Sequence, residues 1–224
     1  MTDIEQLLND KQGIRLDIGC GANKNPNFVG IDILPLPGVD IVHNIELTPW
    51  PLPDDCVLTA TASHVLEHIN PAPPDARVEP LIQLLIAKGI FSEQEATNHR
   101  LLGNSGAIFL RVMDEIWRVM KVGGQFAFVV PYAESHGMFQ DPTHCNFINE
   151  TTMSYFDPLD PSTLYQFYKP KPWKIEKMYV QRMGLLEVVL VKRAEMPEYA
   201  SPRKMQDMID EVSMAPKTKQ VRMK

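Results

Sequence analysis

Residues 14–21, IRLDIGCG, run a short β-branched and apolar stretch straight into two glycines, and after the loop ANKNPN a second stretch of the same kind, FVGIDI, occupies 28–33. Buried parallel strands joined through a tight turn have this pattern. Gly19 and Gly21 lack a Cβ, so the chain can turn sharply there and let another group approach its backbone. The pair of strands and the turn between them constrain everything that follows.

Similar runs recur at Val39–Val42, Val57–Ala62 and Gln125–Val130. Between Ile108 and Met120 the residues Phe109, Val112, Met113, Ile116, Trp117 and Met120 recur at helical spacing. Arg111, Asp114, Glu115 and Arg118 hold the other face, and Gly123 and Gly124 supply a stop. WKIEKMYVQR and LLEVVLVKR, separated by Met183 and Gly184, read as a closing antiparallel hairpin. The expected fold is therefore α/β: a doubly wound, mostly parallel seven-stranded sheet with a C-terminal antiparallel hairpin and helices on both faces. Ligands of such sheets sit at the carboxyl ends of the strands, so residues near Gly19, Asp32, Asn44, Ser63 and Pro131 should share one edge.

A chain of 224 residues suits one core with embellishments. We expect a single α/β domain over 1–195 and an extension over 196–224, partly helical and then disordered and basic. Within the domain, the Pro-rich NPAPPDARVEP, the apolar Leu81–Ile86 and a capping box from Ser92 to Glu95 point to a helical insertion over about 71–105. That insertion is suited to a lid or to a homo-oligomer contact.

The net charge of −6 gives no general attraction to nucleic acid, although Lys217, Lys219, Arg222 and Lys224 make the last residues basic. The sequence has no run of about 18 apolar residues and no apolar segment near its start, which points away from membranes and toward the cytoplasm. Cys20, Cys56 and Cys145 are odd in number and lack CxxC spacing, so they read as reduced thiols.

The turn departs from a dinucleotide fingerprint. Lys24 stands where a third glycine is wanted, and the acid Asp32 comes earlier than the ~20 residues that pattern requires. Asp17, closing the first strand, would repel a pyrophosphate but suits a cationic ligand. S-adenosylmethionine carries both a sulfonium and an ammonium.

In order along the chain, LDIGCG, VGIDI, VHNIE, ASHVLEHI, LRVMDEIWRVMKVGGQF and VPY together resemble the class I S-adenosylmethionine-dependent methyltransferases, from about Ile14 to Tyr132. The resemblance implies that Asp17, Gly19, Cys20 and Gly21 surround the methionine moiety. It puts Asp32, with Ile33 beside it, on the ribose hydroxyls. Asn44, with Ile45, stands where the family usually has an aspartate facing adenine, and Ser63 and His64 border the cofactor.

Methyl transfer from a sulfonium is an in-line displacement, and a base is needed only if the acceptor is protonated. DNA amino-methylation is disfavoured, because SHVLEHI stands where those enzymes carry Pro-Pro-aromatic. A C5-methylating thiolate is disfavoured too, because Cys145 follows no Pro-Cys pair. The candidate catalytic residues are His144, His68 and Glu67: the segment after VPY should pass over the cofactor edge, so that His144 faces the methyl group as a general base, its imidazole neutral near pH 7. Glu67 capping a loop and His68 merely packing would leave the same letters.

A narrower resemblance runs to small-RNA 2′-O-methyltransferases and some quinone O-methyltransferases, whose Glu-x-x-Glu-His helix and later histidine bind a divalent metal. Here His64 replaces the first glutamate, and Glu67, His68 and His144 are the matching ligands. Two nitrogens would favour Mn²⁺, Fe²⁺ or Zn²⁺ over Mg²⁺. The aromatic and basic LYQFYKPKPWKIEK could stack an RNA end, or be a core strand with solvated lysines. The leading expectation is O-methylation of a small molecule or glycan without a metal. The alternatives are a metal-assisted RNA-end or nucleotide 2′-O-methyltransferase, and a binding subunit of the same fold without turnover. The intact LDIGCG and Asp32 speak against the last.

Overall fold

A computed structural model describes residues 13–69, 78–90, 92 and 107–194. Most of the insertion, the Ser92–Glu95 capping box and the basic extension lie outside the described residues. Along the chain run β1 (Ile14–Ile18), β2 (Val29–Asp32), β3 (Ile41–Val42), β4 (Val57–Ser63), a single 3₁₀ turn (Leu66–His68), α1 (Val78–Ala87) and α2 (Ala107–Val119). They are followed by β5 (Met120–Pro131), the short helices α3 (His136–Gln140), α4 (Glu150–Ser154) and α5 (Tyr165–Tyr168), and the hairpin β6 (Trp173–Val180) and β7 (Leu185–Lys192).

The seven strands form one sheet in the order β3-β2-β1-β4-β5-β7-β6. From β3 to β5 every pairing is parallel, with Leu16 opposite both Val29 and Ala60. β7 runs antiparallel to β5 and to β6, placing Phe126 opposite Leu190. The expected fold class is observed, and the order jumps from β1 outward in both directions, which leaves a crevice at the carboxyl ends of β1 and β4.

β1 is buried at Ile14, Leu16, Asp17 and Ile18, the near-continuous burial of a strand covered on both faces. α2 covers one face through Ile108, Phe109, Val112, Met113, Ile116 and Val119. Its polar side is tied down as well: the Glu115 carboxylate accepts the Trp50 N–H at 2.6 Å and an Arg118 N–H at 2.6 Å. Lys192 is buried at the far end of β7, where its ammonium donates to Asp55 and to the Met120 carbonyl and lies 3.9 Å from the centre of the Trp117 ring.

Two boundaries differ from the sequence expectation. β5 begins at Met120, directly after α2, and passes through a register shift between Val57/Met120 and Thr59/Gln125. Gly124 belongs to that irregularity, since a Cβ there would lie 2.8 Å from the Lys121 carbonyl oxygen and 2.9 Å from that of Leu58. β3 shrinks to Ile41–Val42 at the sheet edge, where Val42 is exposed and contributes nothing to the core. Among the described residues no helix is long and apolar enough to cross a membrane.

Candidate active site

The turn after β1 is built by two carboxylates. Asp17, buried at the end of β1, accepts the Asn25 N–H at 2.7 Å and the Thr61 hydroxyl at 3.2 Å, which ties the glycine loop to β4. Asp32, at the end of β2, accepts the Gly21 N–H at 2.8 Å and the Leu34 N–H at 2.9 Å. Gly19 and Gly21 both have positive φ, +64° and +55°. A Cβ on Gly19 would stand 2.4 Å from the Val65 side chain, whereas one on Gly21 would meet nothing within 4 Å. At Gly21 the demand for glycine is therefore conformational, and the space beside it is open.

A cleft of about 270 Å³ lies at the carboxyl edge of the sheet. Of the residues expected there, Gly19, Asp32, Ile33, Asn44, Ile45 and His64 line it, and His68 forms part of its wall. Glu46, Val65 and Ile69 line it as well. Their sequence signal is weak: Val65 and Ile69 read as ordinary apolar positions of VLEHI, and only the position of Glu46 one turn after β3 marks it. Asp17, Cys20, Gly21, Ser63, Glu67 and His144 surround the cleft without lining it. The lining holds two acids and no lysine or arginine among the described residues, an electrostatic setting that favours a cation over a phosphate.

The residues fit S-adenosylmethionine. Asp32 has two of its roughly four acceptor positions engaged by backbone N–H groups, which leaves capacity for a ribose diol. The Asn44 amide oxygen accepts the Glu46 N–H at 2.9 Å and keeps a second lone pair for an amino group. Cys20 is a buried thiol whose pKa is raised by burial and then by Asp17 and Asp32, so it stays neutral beside the turn.

The chemistry-bearing cluster lies where the segment after α3 folds back over the 3₁₀ turn. Cys145 and Asn146 donate their backbone N–H groups to the Glu67 carbonyl at 2.9 and 3.1 Å, and the Asn146 amide donates to the carbonyls of Leu66 and Ile69. This stitching brings His144 against His68, edge to face, with ring centres 4.7 Å apart. Glu67 is fully buried beneath them. One ligand atom from each of Glu67, His68 and His144 falls within a set no wider than 4.8 Å.

Hydrogen bonding fixes which nitrogen of the His144 ring carries a lone pair. His144 Nδ1 lies 3.1 Å from the Met138 carbonyl, which can only accept, so Nδ1 bears the proton and Nε2 the lone pair in the neutral ring. His68 Nδ1 lies 2.9 Å from the Thr143 hydroxyl. His64 donates from Nδ1 to Glu67 Oε1 at 3.1 Å, while Glu67 Oε2 is buried with no hydrogen-bond partner among the described residues. Leaving a buried carboxylate oxygen unpartnered costs roughly 1–3 kcal/mol or more. His64 itself sits at φ +55°, in the left-handed region, just before the 3₁₀ turn that carries Glu67.

Cys145 has its pKa raised by burial and donates its thiol to the Ile69 carbonyl at 3.0 Å, the surroundings of an inert thiol and not of a nucleophile. In the aromatic stretch, Trp173 is fully buried and Tyr165 nearly so, whereas Phe167 and Tyr168 are exposed and Lys174 pairs with Glu176.

No protein-family model matches the chain, and no curated protein does. Solved structures do. The chain is similar to a SAM-dependent methyltransferase from Methanosarcina mazei, 14% identical over 87% of this chain and 99% of that one, with a TM-score of 0.46. It is similar to a SAM-dependent methyltransferase from Aquifex aeolicus, 13% identical over 84% and 86% of the two chains, TM-score 0.44. It is also similar to SpnF, a 4+2 cyclase, 14% identical over 82% and 76%, TM-score 0.44. The chain itself has a doubly wound α/β fold, a seven-stranded sheet in the order β3-β2-β1-β4-β5-β7-β6 closed by an antiparallel hairpin.

Proposed function

We propose that this chain binds S-adenosylmethionine along the carboxyl edge of the sheet and transfers its methyl group to an oxygen of a small-molecule or glycan acceptor. The observation that carries the reading is the position of His68. It stands on the wall of the cleft that Gly19, Asp32 and Asn44 line, and it backs onto His144, whose ring is fixed by the Met138 carbonyl. Held by Gly19, Asp32 and Asn44, S-adenosylmethionine would supply an electrophilic methyl group to an acceptor hydroxyl, and an imidazole Nε2 would take the hydroxyl proton. His68, on the cleft wall and backed by His144, is the base of this reading. His144 and Glu67 support it from behind, or take the proton in its place.

The acidic cleft and the net charge of −6 support a small acceptor over an RNA chain. Labelled-methyl transfer from S-adenosylmethionine to extracts and to panels of phenols, hydroxy acids and sugars tests the reading. Label in an alkali-stable small-molecule product supports it, and label in RNA alone would sink it.

The unpartnered Oε2 of Glu67 favours a second reading of the same cluster. Glu67, His68 and His144 would hold a divalent ion, whose charge would meet that oxygen and whose Lewis acidity would lower the pKa of a bound hydroxyl. Two nitrogens and one oxygen suit Mn²⁺, Fe²⁺ or Zn²⁺. This reading pairs with the RNA-end or nucleotide 2′-O-methyltransferase. Loss of activity in chelator with recovery on Mn²⁺ or Zn²⁺ would support it, and chelator-resistant turnover would remove it.

A further inference from the structure

Thr143 is an exposed residue of the loop after α3 that does not itself line the cofactor cleft. Its backbone N–H and its hydroxyl are nonetheless both directed. Its backbone N–H and its hydroxyl both donate to the same oxygen of Asp141, at 2.8 and 2.7 Å. A hydroxyl has one proton, so with that proton on Asp141 the oxygen meets His68 Nδ1, 2.9 Å away, only as an acceptor. The His68 proton therefore sits on Nδ1 and its lone pair on Nε2.

A free neutral imidazole prefers the opposite tautomer, with the proton on Nε2. A base whose Nε2 carries the proton cannot take another there, so the tautomer decides whether the site works. We propose that Thr143, oriented by Asp141, is the positioning residue of the site: it locks His68 in the Nδ1–H tautomer and leaves Nε2 free for the acceptor's proton. Asp141, Thr143 and His68 form a carboxylate–hydroxyl–imidazole relay parallel to the Met138–His144 contact, so both rings of the pair present Nε2. The inference rests on the methyl-transfer reading for its consequence but not for its geometry.

The test uses the full chain and Thr143→Val, which keeps the shape and removes the hydroxyl, with Thr143→Ser as the conservative variant. Nitrogen-15 imidazole NMR of the neutral protein should show His68 as the Nδ1–H tautomer in the parent and in Thr143→Ser, and predominantly as Nε2–H in Thr143→Val. With an acceptor in hand, kcat should fall on the order of 10- to 100-fold in Thr143→Val, a share of the ~10²–10⁴ that a positioned base contributes. KM for S-adenosylmethionine should hold, and Thr143→Ser should recover most of the rate. An unchanged His68 tautomer in Thr143→Val overturns the proposal, as does equal loss of rate in the Ser and Val variants. If the parent binds no S-adenosylmethionine while the tautomer shifts as stated, the methyl-transfer reading fails and the positioning role of Thr143 stands.

Discussion

His144 Nδ1 points at the Met138 carbonyl from 3.1 Å, and that contact sets the ring's only available lone pair at Nε2, 4.0 Å from Glu67 Oε1. His68 lies between this ring and the cleft. The two histidines thus have separable jobs. His68→Ala should lower turnover by ~10²–10⁴ with S-adenosylmethionine affinity within a few-fold of the parent, as expected for loss of a positioned base. His144→Ala should act by releasing the His68 ring, with a smaller loss. Kinetics of both variants under saturating cofactor check this, and a larger loss in His144→Ala would make His144 the base.

Gly19 is constrained twice, by φ +64° and by Val65. Gly19→Ala should destabilise the turn by the ~1–2 kcal/mol of a left-handed alanine plus the overlap with Val65. In a double-mutant cycle, Val65→Ala should relieve the overlap and leave the conformational part. Denaturant unfolding of the four proteins measures it; strict additivity would contradict the contact.

The Asp114 pKa is raised to about 6, chiefly by burial and against the Lys171 N–H and ammonium. In the unfolded chain it titrates near 3.8. Between those values the folded state binds more protons than the unfolded, so this group's contribution to stability is full below pH ~4 and is lost as pH rises through about 6. Asp114→Asn should flatten stability over that window and raise it at neutral pH by on the order of 1 kcal/mol, less than the full shift because the side chain keeps some contact with water. Urea unfolding from pH 4 to pH 7 reads the difference; a parallel pH profile for the two proteins would contradict it.

Much of the scaffold is legible in the letters because local pattern and burial agree. Ile14–Ile18 is a strand from end to end as read, and the apolar face of 108–120 is the buried face of α2. The hairpin boundaries fall within two residues of those expected, since Met183 and Gly184 leave only one place to turn. The site is legible only in part. Asp32, Asn44, His64 and His68 reach the cleft because strand ends place them there. Thr143, Met138 and the left-handed turn at His64 are invisible to periodicity, because their roles depend on a later loop folding back over Leu66–His68. Asp17 has a further role that the letters do not show: its carboxylate clamps the loop through Asn25 and Thr61.

The central claim is that the carboxyl edge of this sheet is an S-adenosylmethionine site with Asp32 on the ribose. Titrating S-adenosylmethionine and its demethylated product into the parent and into Asp32→Ala by calorimetry tests it most directly. The account expects one site per chain in the parent and an affinity lower by ~2–4 kcal/mol in Asp32→Ala, the size of lost hydrogen bonds to a charged acceptor. No binding to the parent, or equal affinity in the two proteins, would contradict it.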